Sequence, residues 1–151
     1  MTLDQAFAEL KKRNQPVPLP ARLPTKEEIE DAEEILDTKF HQDFRRYLLE
    51  VSNIHFGALE PVTLRPPEAH TDLLQICESA WEEMDVPRTL IPICEDNGDY
   101  YCMNKKGQIV FWSADGATDE KWPNLATWIE QVWIGESEEA QDKQDDEEED
   151  Q

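Results

Sequence analysis

Runs of apolar residues alternate with polar turn signals most regularly between Leu90 and Asp115, where the sequence reads LIPICEDNGDYYCMNKKGQIVFWSAD. Short runs rich in Ile, Val, Tyr, Phe and Trp have the length and composition of β-strands. Asn97-Gly98, a strong hairpin signal, separates the first two runs, and Gly107 precedes the third. The pattern predicts an antiparallel meander with strands at Leu90–Glu95, Asp99–Asn104 and Gln108–Ser113.

Segments with helical periodicity flank the meander and are expected to cover it, since three strands cannot hide both of their faces alone. Thr2 with Gln5, and Thr25 with Glu28, have the capping-box pattern of a helix start. Apolar residues three or four positions apart predict helices at Leu3–Arg13, from Thr25 to Leu36, at His41–Val51, at Asp72–Met84 and at Asn124–Trp133. The inward stripe of the second helix is predicted to be Ile29, Ala32, Ile35 and Leu36.

The segments between these elements predict irregular or marginal structure. Pro16–Pro20 is typical of a stiff extended linker, and Ala58–Leu64 of a short edge strand bounded by prolines. Asp115–Lys121 is polar and is predicted to be a loop. We expect the last helix to pack on the meander, because nothing else in the C-terminal half is apolar enough.

These elements predict an α+β fold, in which an antiparallel β-sheet is covered by N-terminal and C-terminal helices. The sheet consists of the central three-strand meander and one or more short edge strands. Residues 1–135 are predicted to form one domain, and residues 1–20 of it an N-terminal helix and a proline-rich linker. Residues 136–151 contain ten acidic residues, one lysine and no aromatic residue, which predicts a disordered acidic tail.

The net charge of −21 indicates the class of binding partner more strongly than any sequence motif does. Such a surface repels nucleic acid and anionic membranes, and it attracts basic proteins at faster association rates. The same charge also serves solubility, and composition alone leaves both interpretations open.

The N-terminal sequence has no signal-peptide pattern, and no apolar run is long enough for a membrane span. Cys77, Cys94 and Cys102 form no CxxC pair. We therefore expect a cytoplasmic protein with reduced thiols, in which the cysteines serve as small buried apolar residues rather than in redox or metal chemistry.

Carboxylates are concentrated around the meander turn and the following loop: Glu95, Asp96, Asp99, Asp115, Asp119 and Glu120. The segment Asp96–Asp99 has part of a calcium-loop pattern, but position twelve counted from Asp96 is Gly107 instead of the bidentate glutamate such a loop requires. Turn formation is the preferred interpretation of these residues. No nucleophile motif, phosphate-binding loop or zinc motif is present, so the sequence predicts no cofactor and no metal.

Aromatic residues accompany these carboxylates. Tyr100 or Tyr101 should point outward, since adjacent strand residues face opposite ways, and Trp112 borders a polar loop. An exposed aromatic beside carboxylates is a common composition of a protein-binding hot spot, and cross-strand packing is an equally good interpretation. The predicted partner-binding residues are Glu95, Asp96, Asp99, Tyr100, Trp112, Asp115, Asp119 and Glu120.

Several segments together resemble the SUKH superfamily, which joins a yeast cell-wall-synthesis regulator to many bacterial immunity proteins. The most specific are Leu90-Ile91-Pro92-Ile93, Asn97-Gly98-Asp99-Tyr100-Tyr101-Cys102 and Gly107-Gln108-Ile109-Val110-Phe111-Trp112. The resemblance extends over about Leu23–Trp133. Where many members have Leu-Pro before the third helix, this chain has Lys39-Phe40. The resemblance implies helices packed on an antiparallel sheet, no catalysis, and binding of toxin domains, many of them nucleases.

The leading functional hypothesis is a non-enzymatic protein-binding module, an immunity protein that neutralises a basic, nuclease-type toxin domain. A nuclease has a basic cleft for polyphosphate, and a strongly acidic protein is suited to occupy it. The alternatives are a regulatory or scaffolding interaction protein of the same family and, third, a small metal-dependent hydrolase that uses the carboxylate cluster. Neither nucleic acid nor membrane is an expected partner.

Overall fold

The computed structural model describes residues 1–18, 22–64 and 70–137. Its elements are, in chain order, α1 (Leu3–Arg13), α2 (Lys26–Leu36), α3 (Gln42–Glu50), α4 (Leu73–Glu78), β1 (Ile91–Asp96), β2 (Asp99–Met103), β3 (Ile109–Ser113), β4 (Gly116–Trp122) and α5 (Leu125–Trp128). Both α4 and α5 continue directly as π-helical segments, at Ser79–Glu83 and Ile129–Ile134. The α+β prediction is confirmed.

The predicted meander is present, but the sheet has a fourth strand. All neighbouring strands are antiparallel, in the order β1-β2-β3-β4. The predicted polar loop over Asp115–Lys121 is wrong, because β4 occupies most of it. Most β4 side chains are exposed, so the strand has no apolar alternation and forms through its backbone pairing with β3.

Two helices begin where their capping boxes predict. The Thr2 Oγ1 accepts the Gln5 N–H at 3.2 Å, and the Gln5 side chain accepts the Thr2 N–H at 2.8 Å. Thr25 and Glu28 make the same reciprocal pair at the start of α2. These bonds satisfy backbone donors that no helical carbonyl can reach, so local sequence alone defines the helix starts.

Helices lie against both faces of the sheet. The ring of Tyr101 lies 5.3 Å from that of Trp128, centroid to centroid, which confirms that the C-terminal helix packs on the meander. Tyr100 faces the opposite side, where α4 packs against β1. Both tyrosines are buried, with 5% and 8% of their surface exposed. The expectation that one of them points outward is therefore wrong.

An aromatic chain continues from the sheet into the helical layer. Trp128 and Trp133 have ring centroids 6.3 Å apart, and Trp133 lies 6.5 Å from Tyr47 of α3. The Trp133 indole N–H donates to the Phe56 carbonyl at 3.0 Å, and the Tyr47 hydroxyl donates to the Val62 carbonyl at 2.6 Å. The core therefore joins the last helix, the third helix and the irregular segment between α3 and α4.

Other boundaries differ from expectation. The predicted strand at Ala58–Leu64 forms only isolated bridges, from Pro61 to Cys94 and from Thr63 to Asp72, because prolines limit its backbone donors. Ile35, predicted to be buried, is 68% exposed. Helical structure continues from α5 through residue 137. Residues 19–21, at the end of the proline-rich linker, and 138–151 of the predicted tail lie outside the described residues.

Candidate functional site

The turn between β1 and β2 and the turn between β3 and β4 lie at the same end of the sheet, as the antiparallel strand order requires. The Asp99 carboxylate links them, because its Oδ1 accepts the backbone N–H of Ala114 at 2.8 Å. We call the four carboxylates around these turns the acidic sheet end: Glu95, Asp96, Asp99 and Asp115. The structure thus brings together half of the predicted partner-binding residues.

Two of these carboxylates shape the turns themselves. The Glu95 Oε1 accepts the Gly98 N–H at 2.8 Å, and Asn97 and Gly98 both have positive φ, 52° and 93°. Positive φ at both central residues matches the right-handed twist of a two-residue hairpin. Glu95 and Asp99 therefore have structural roles, whereas Asp96 is half-buried and Asp115 is exposed to solvent at the rim.

Asp119 and Glu120 lie apart from the acidic sheet end, along the exposed edge strand β4. They fall within an irregularity of the β3–β4 pairing, between Ala117, which faces Trp112, and Lys121, which faces Val110. The Thr118 hydroxyl donates to the Phe111 carbonyl at 2.8 Å and fixes this bulge. Both carboxylates are exposed and extend the acidic surface along the edge.

The two predicted aromatic anchors, Tyr100 and Trp112, differ in their exposure to solvent. Trp112 pairs with Tyr100 across β2 and β3 and is half-buried, packed against the edge of the core. Tyr100 is buried, so its prediction as a partner contact is wrong: the helical region that begins with α4 covers its face of the sheet. Burial raises the pKa of Tyr100, and the nearby Glu95 and Glu83 raise it further.

The interior beneath the acidic sheet end is not suited to nucleophilic chemistry. All three cysteines are free and buried, as predicted. Burial raises the pKa of the Cys102 thiol to about 12 and that of Cys94 above its ordinary range, so both are thiols rather than reactive thiolates at neutral pH. Burial, together with Glu136 and Asp96, likewise raises the pKa of the Tyr101 hydroxyl.

Within the described residues, no group of three or more His, Cys, Asp and Glu side chains is arranged to hold a metal ion. Two carboxylates of the acidic sheet end accept backbone N–H groups instead of pointing to a common centre: Glu95 accepts from Gly98 of its own turn, and Asp99 from Ala114 of the neighbouring turn. In the same part of the chain, no helix combines the length and apolar character needed to cross a membrane.

Sequence reasoning missed a buried ion pair between α2 and α3. Only 2% of Glu33 is exposed, and its carboxylate accepts from the Arg45 guanidinium at 2.5 Å and from the Phe40 N–H at 2.7 Å. Burial alone would raise the pKa of Glu33, but the hydrogen bonds from Arg45 and Phe40 hold it below its ordinary value. The sequence signal is spacing: Glu33 lies four positions after Ile29 and three before Leu36, so it falls within the apolar stripe of α2.

These features define the class of protein: an α+β fold whose helices cover an antiparallel sheet that carries acidic turns at one end. The chain belongs to the SUKH family, since it matches SUKH_5, described as "SMI1-KNR4 cell-wall", over residues 3–134. This membership indicates a protein-interaction or immunity-type module, and the family is generally non-catalytic.

A solved structure of a protein from Pseudomonas syringae pv. tomato is similar to this chain. It is 39% identical in sequence, and the match covers 87% of this chain and 98% of that one with a TM-score of 0.83. A comparison with curated proteins gave no match. The structural relative therefore supports the fold over the matched 87% of this chain.

Proposed function

We propose that this chain is a cytoplasmic bacterial immunity protein that binds and neutralises a basic, nuclease-type toxin domain. The observation that carries the proposal is the grouping of four carboxylates around two linked turns, beside the half-buried Trp112. The SUKH family supports a protein-interaction or immunity-type module. The net charge of −21 supports a basic partner over an acidic one.

The mechanism requires occupation of a cleft, without a chemical step. A nuclease concentrates positive charge where it holds polyphosphate, and an acidic surface is attracted to that cleft at long range. Asp96 and Asp115 supply steering charge and rim contacts, with Asp119 and Glu120 beside them on β4. Trp112 supplies the apolar contact area that is desolvated in the complex. Glu95 and Asp99 hold the turns, so their contribution is to position the other two.

The test uses a basic nuclease domain encoded beside the gene, and it measures both nuclease inhibition and association rate at low and high salt. The Asp96→Asn/Asp115→Asn double variant should associate about tenfold more slowly at low salt, with a smaller dependence on salt. The matched control, Glu27→Gln/Glu30→Gln, removes the same charge from the exposed face of α2 and should change the rate little.

Equal rates for the two double variants would contradict a role for the acidic sheet end. Binding without inhibition of the nuclease would contradict the immunity function and favour the regulatory or scaffolding alternative. A tight complex that is indifferent to salt would also refute electrostatic recognition.

A further inference from the structure

An apolar groove of about 370 Å³ lies between the end of α2 and the α4 helical region, well away from the acidic sheet end. Its apolar lining comes from Ile35, Leu36, Leu74 and Trp81. The Trp81 indole donates to the Leu90 carbonyl, directly before β1, whereas the acidic turns lie beyond the far end of that strand. Six strand residues separate the two places, about 20 Å at the usual rise per residue.

Ile35 is the most exposed large apolar residue in the described part of the chain, at 68%. A single exposed apolar residue is ordinary on a protein surface. Ile35, however, lines the same groove as two half-buried apolar residues, Leu74 and Trp81. Together the three residues form one small apolar patch bordered by polar side chains, which offers a partner more contact than an isolated exposed residue does.

The aromatic wall of the groove is held in place before any partner arrives. The Trp81 indole N–H donates to the Leu90 carbonyl at 2.9 Å, and the Arg88 guanidinium carbon lies 4.7 Å from the centre of the Trp81 ring. These contacts fix the Trp81 indole, so a partner that binds against it restricts little additional side-chain rotation. A pre-ordered aromatic side chain is an effective anchor for a partner.

The charges around the groove are mostly negative. Glu78 and Glu82 line it from the α4 side, and Asp31 and Glu34 are exposed next to Ile35 on α2. The cation in the lining is Arg88, which is engaged over Trp81. An occupant that buries an apolar side chain here must therefore place positive charge at the border, since negative charge would be repelled.

We infer that the groove is a second docking surface, which takes a cationic amphipathic segment of another protein. The segment inserts an apolar side chain between Ile35 and Trp81 and directs Lys or Arg residues toward Glu78 and Glu82. This is the helix-in-groove or extended-segment mode of recognition, in which apolar anchors give affinity and flanking charges give orientation. The inference does not depend on the toxin partner proposed above.

The test uses the full chain, isotope-labelled for NMR, and a synthetic amphipathic Leu/Lys peptide as the probe. Saturable shifts of the Ile35 methyl groups and the Trp81 indole N–H are expected, while the Trp112 indole remains unchanged. Ile35→Gln should weaken peptide binding about tenfold or more, and Ile35→Leu should restore it. Because Ile35 is exposed, neither change should affect folding.

Three results would overturn the inference. One is a set of shifts centred on Trp112, which would place the peptide at the acidic sheet end and leave the proposed function standing. Another is equal binding of a Leu/Glu peptide of the same pattern. The last is self-association that Ile35→Gln abolishes, which would make a second copy of this chain the occupant. The Asp96→Asn/Asp115→Asn variant is the control, and it should bind the Leu/Lys peptide like the unmodified chain.

Discussion

Replacing Glu33 by glutamine tests whether the buried ion pair holds α2 and α3 together. Glutamine retains the shape and one carbonyl oxygen for the Phe40 N–H, but it removes the charge that faces the Arg45 guanidinium. The carboxylate now accepts at 2.5, 2.7 and 3.2 Å from that guanidinium. The change therefore isolates the ionic part of the interaction.

The expected loss follows from the exposure of the two partners. Breaking a buried ion pair costs about 3–5 kcal/mol, because it leaves an uncompensated charge. The Glu33 side chain is 1% exposed, but that of Arg45 is 37% exposed, so water compensates part of the lost contact. We expect a decrease in the free energy of unfolding of about 2–3 kcal/mol at neutral pH for Glu33→Gln.

Urea unfolding as a function of pH is the appropriate assay. The folded-state pKa of Glu33 is lowered, so its stabilisation is complete above the ordinary value of 4.5 and is lost as the pH falls through the folded value. Glu33→Gln should lose this part of the acid dependence. Glu30→Gln, on the exposed face of the same helix, should stay within about 0.5 kcal/mol of the unmodified chain. If both variants unfold alike at neutral pH, the reasoning is wrong.

Three further outcomes are expected. In urea unfolding, Gly107→Ala should lower the free energy of unfolding by about 2–4 kcal/mol and Gly98→Ala by about 1 kcal/mol. Both glycines have positive φ, but of the two only Gly107 would bring a Cβ against another residue, His41, at 2.8 Å. Equal losses would refute the clash. Trp133→Phe should lose about 2–3 kcal/mol by the same assay, since the Phe56 carbonyl loses its buried donor, and an unchanged midpoint would refute this. The three buried thiols should resist alkylation at neutral pH until urea unfolds the chain, as mass spectrometry would show, and labelling of the folded chain would contradict their burial.

The predictions that succeeded rest on local chemistry. Asn97-Gly98 defines a tight hairpin by its own conformational preference, and the pairs that begin with Thr2 and Thr25 define helix starts within a few residues. These signals do not depend on distant parts of the chain. For the same reason, composition and turn residues alone predict three of the four strands.

The errors arose where distant packing decides. β4 pairs through its backbone while most of its side chains remain in water, so its sequence carries no alternation that could reveal it. Ile35 has helical spacing toward the core, yet it lies at the end of α2 and faces the groove. Tyr100 is covered by a helix that its own strand cannot predict. The acidic sheet end is predictable in part, because turns favour Asp at fixed positions.

The open edge of β4 bears on whether copies of the protein can associate through strand addition. An open strand edge presents unpaired backbone N–H and C=O groups; where the strand is long, flat and apolar in its side chains, the same strand of a neighbouring molecule can add to it, and repeated addition yields fibrils. Here the irregular pairing and the succession Asp119, Glu120, Lys121 interrupt any such template. We expect a charged, irregular edge of this kind to hinder strand addition between copies of the protein.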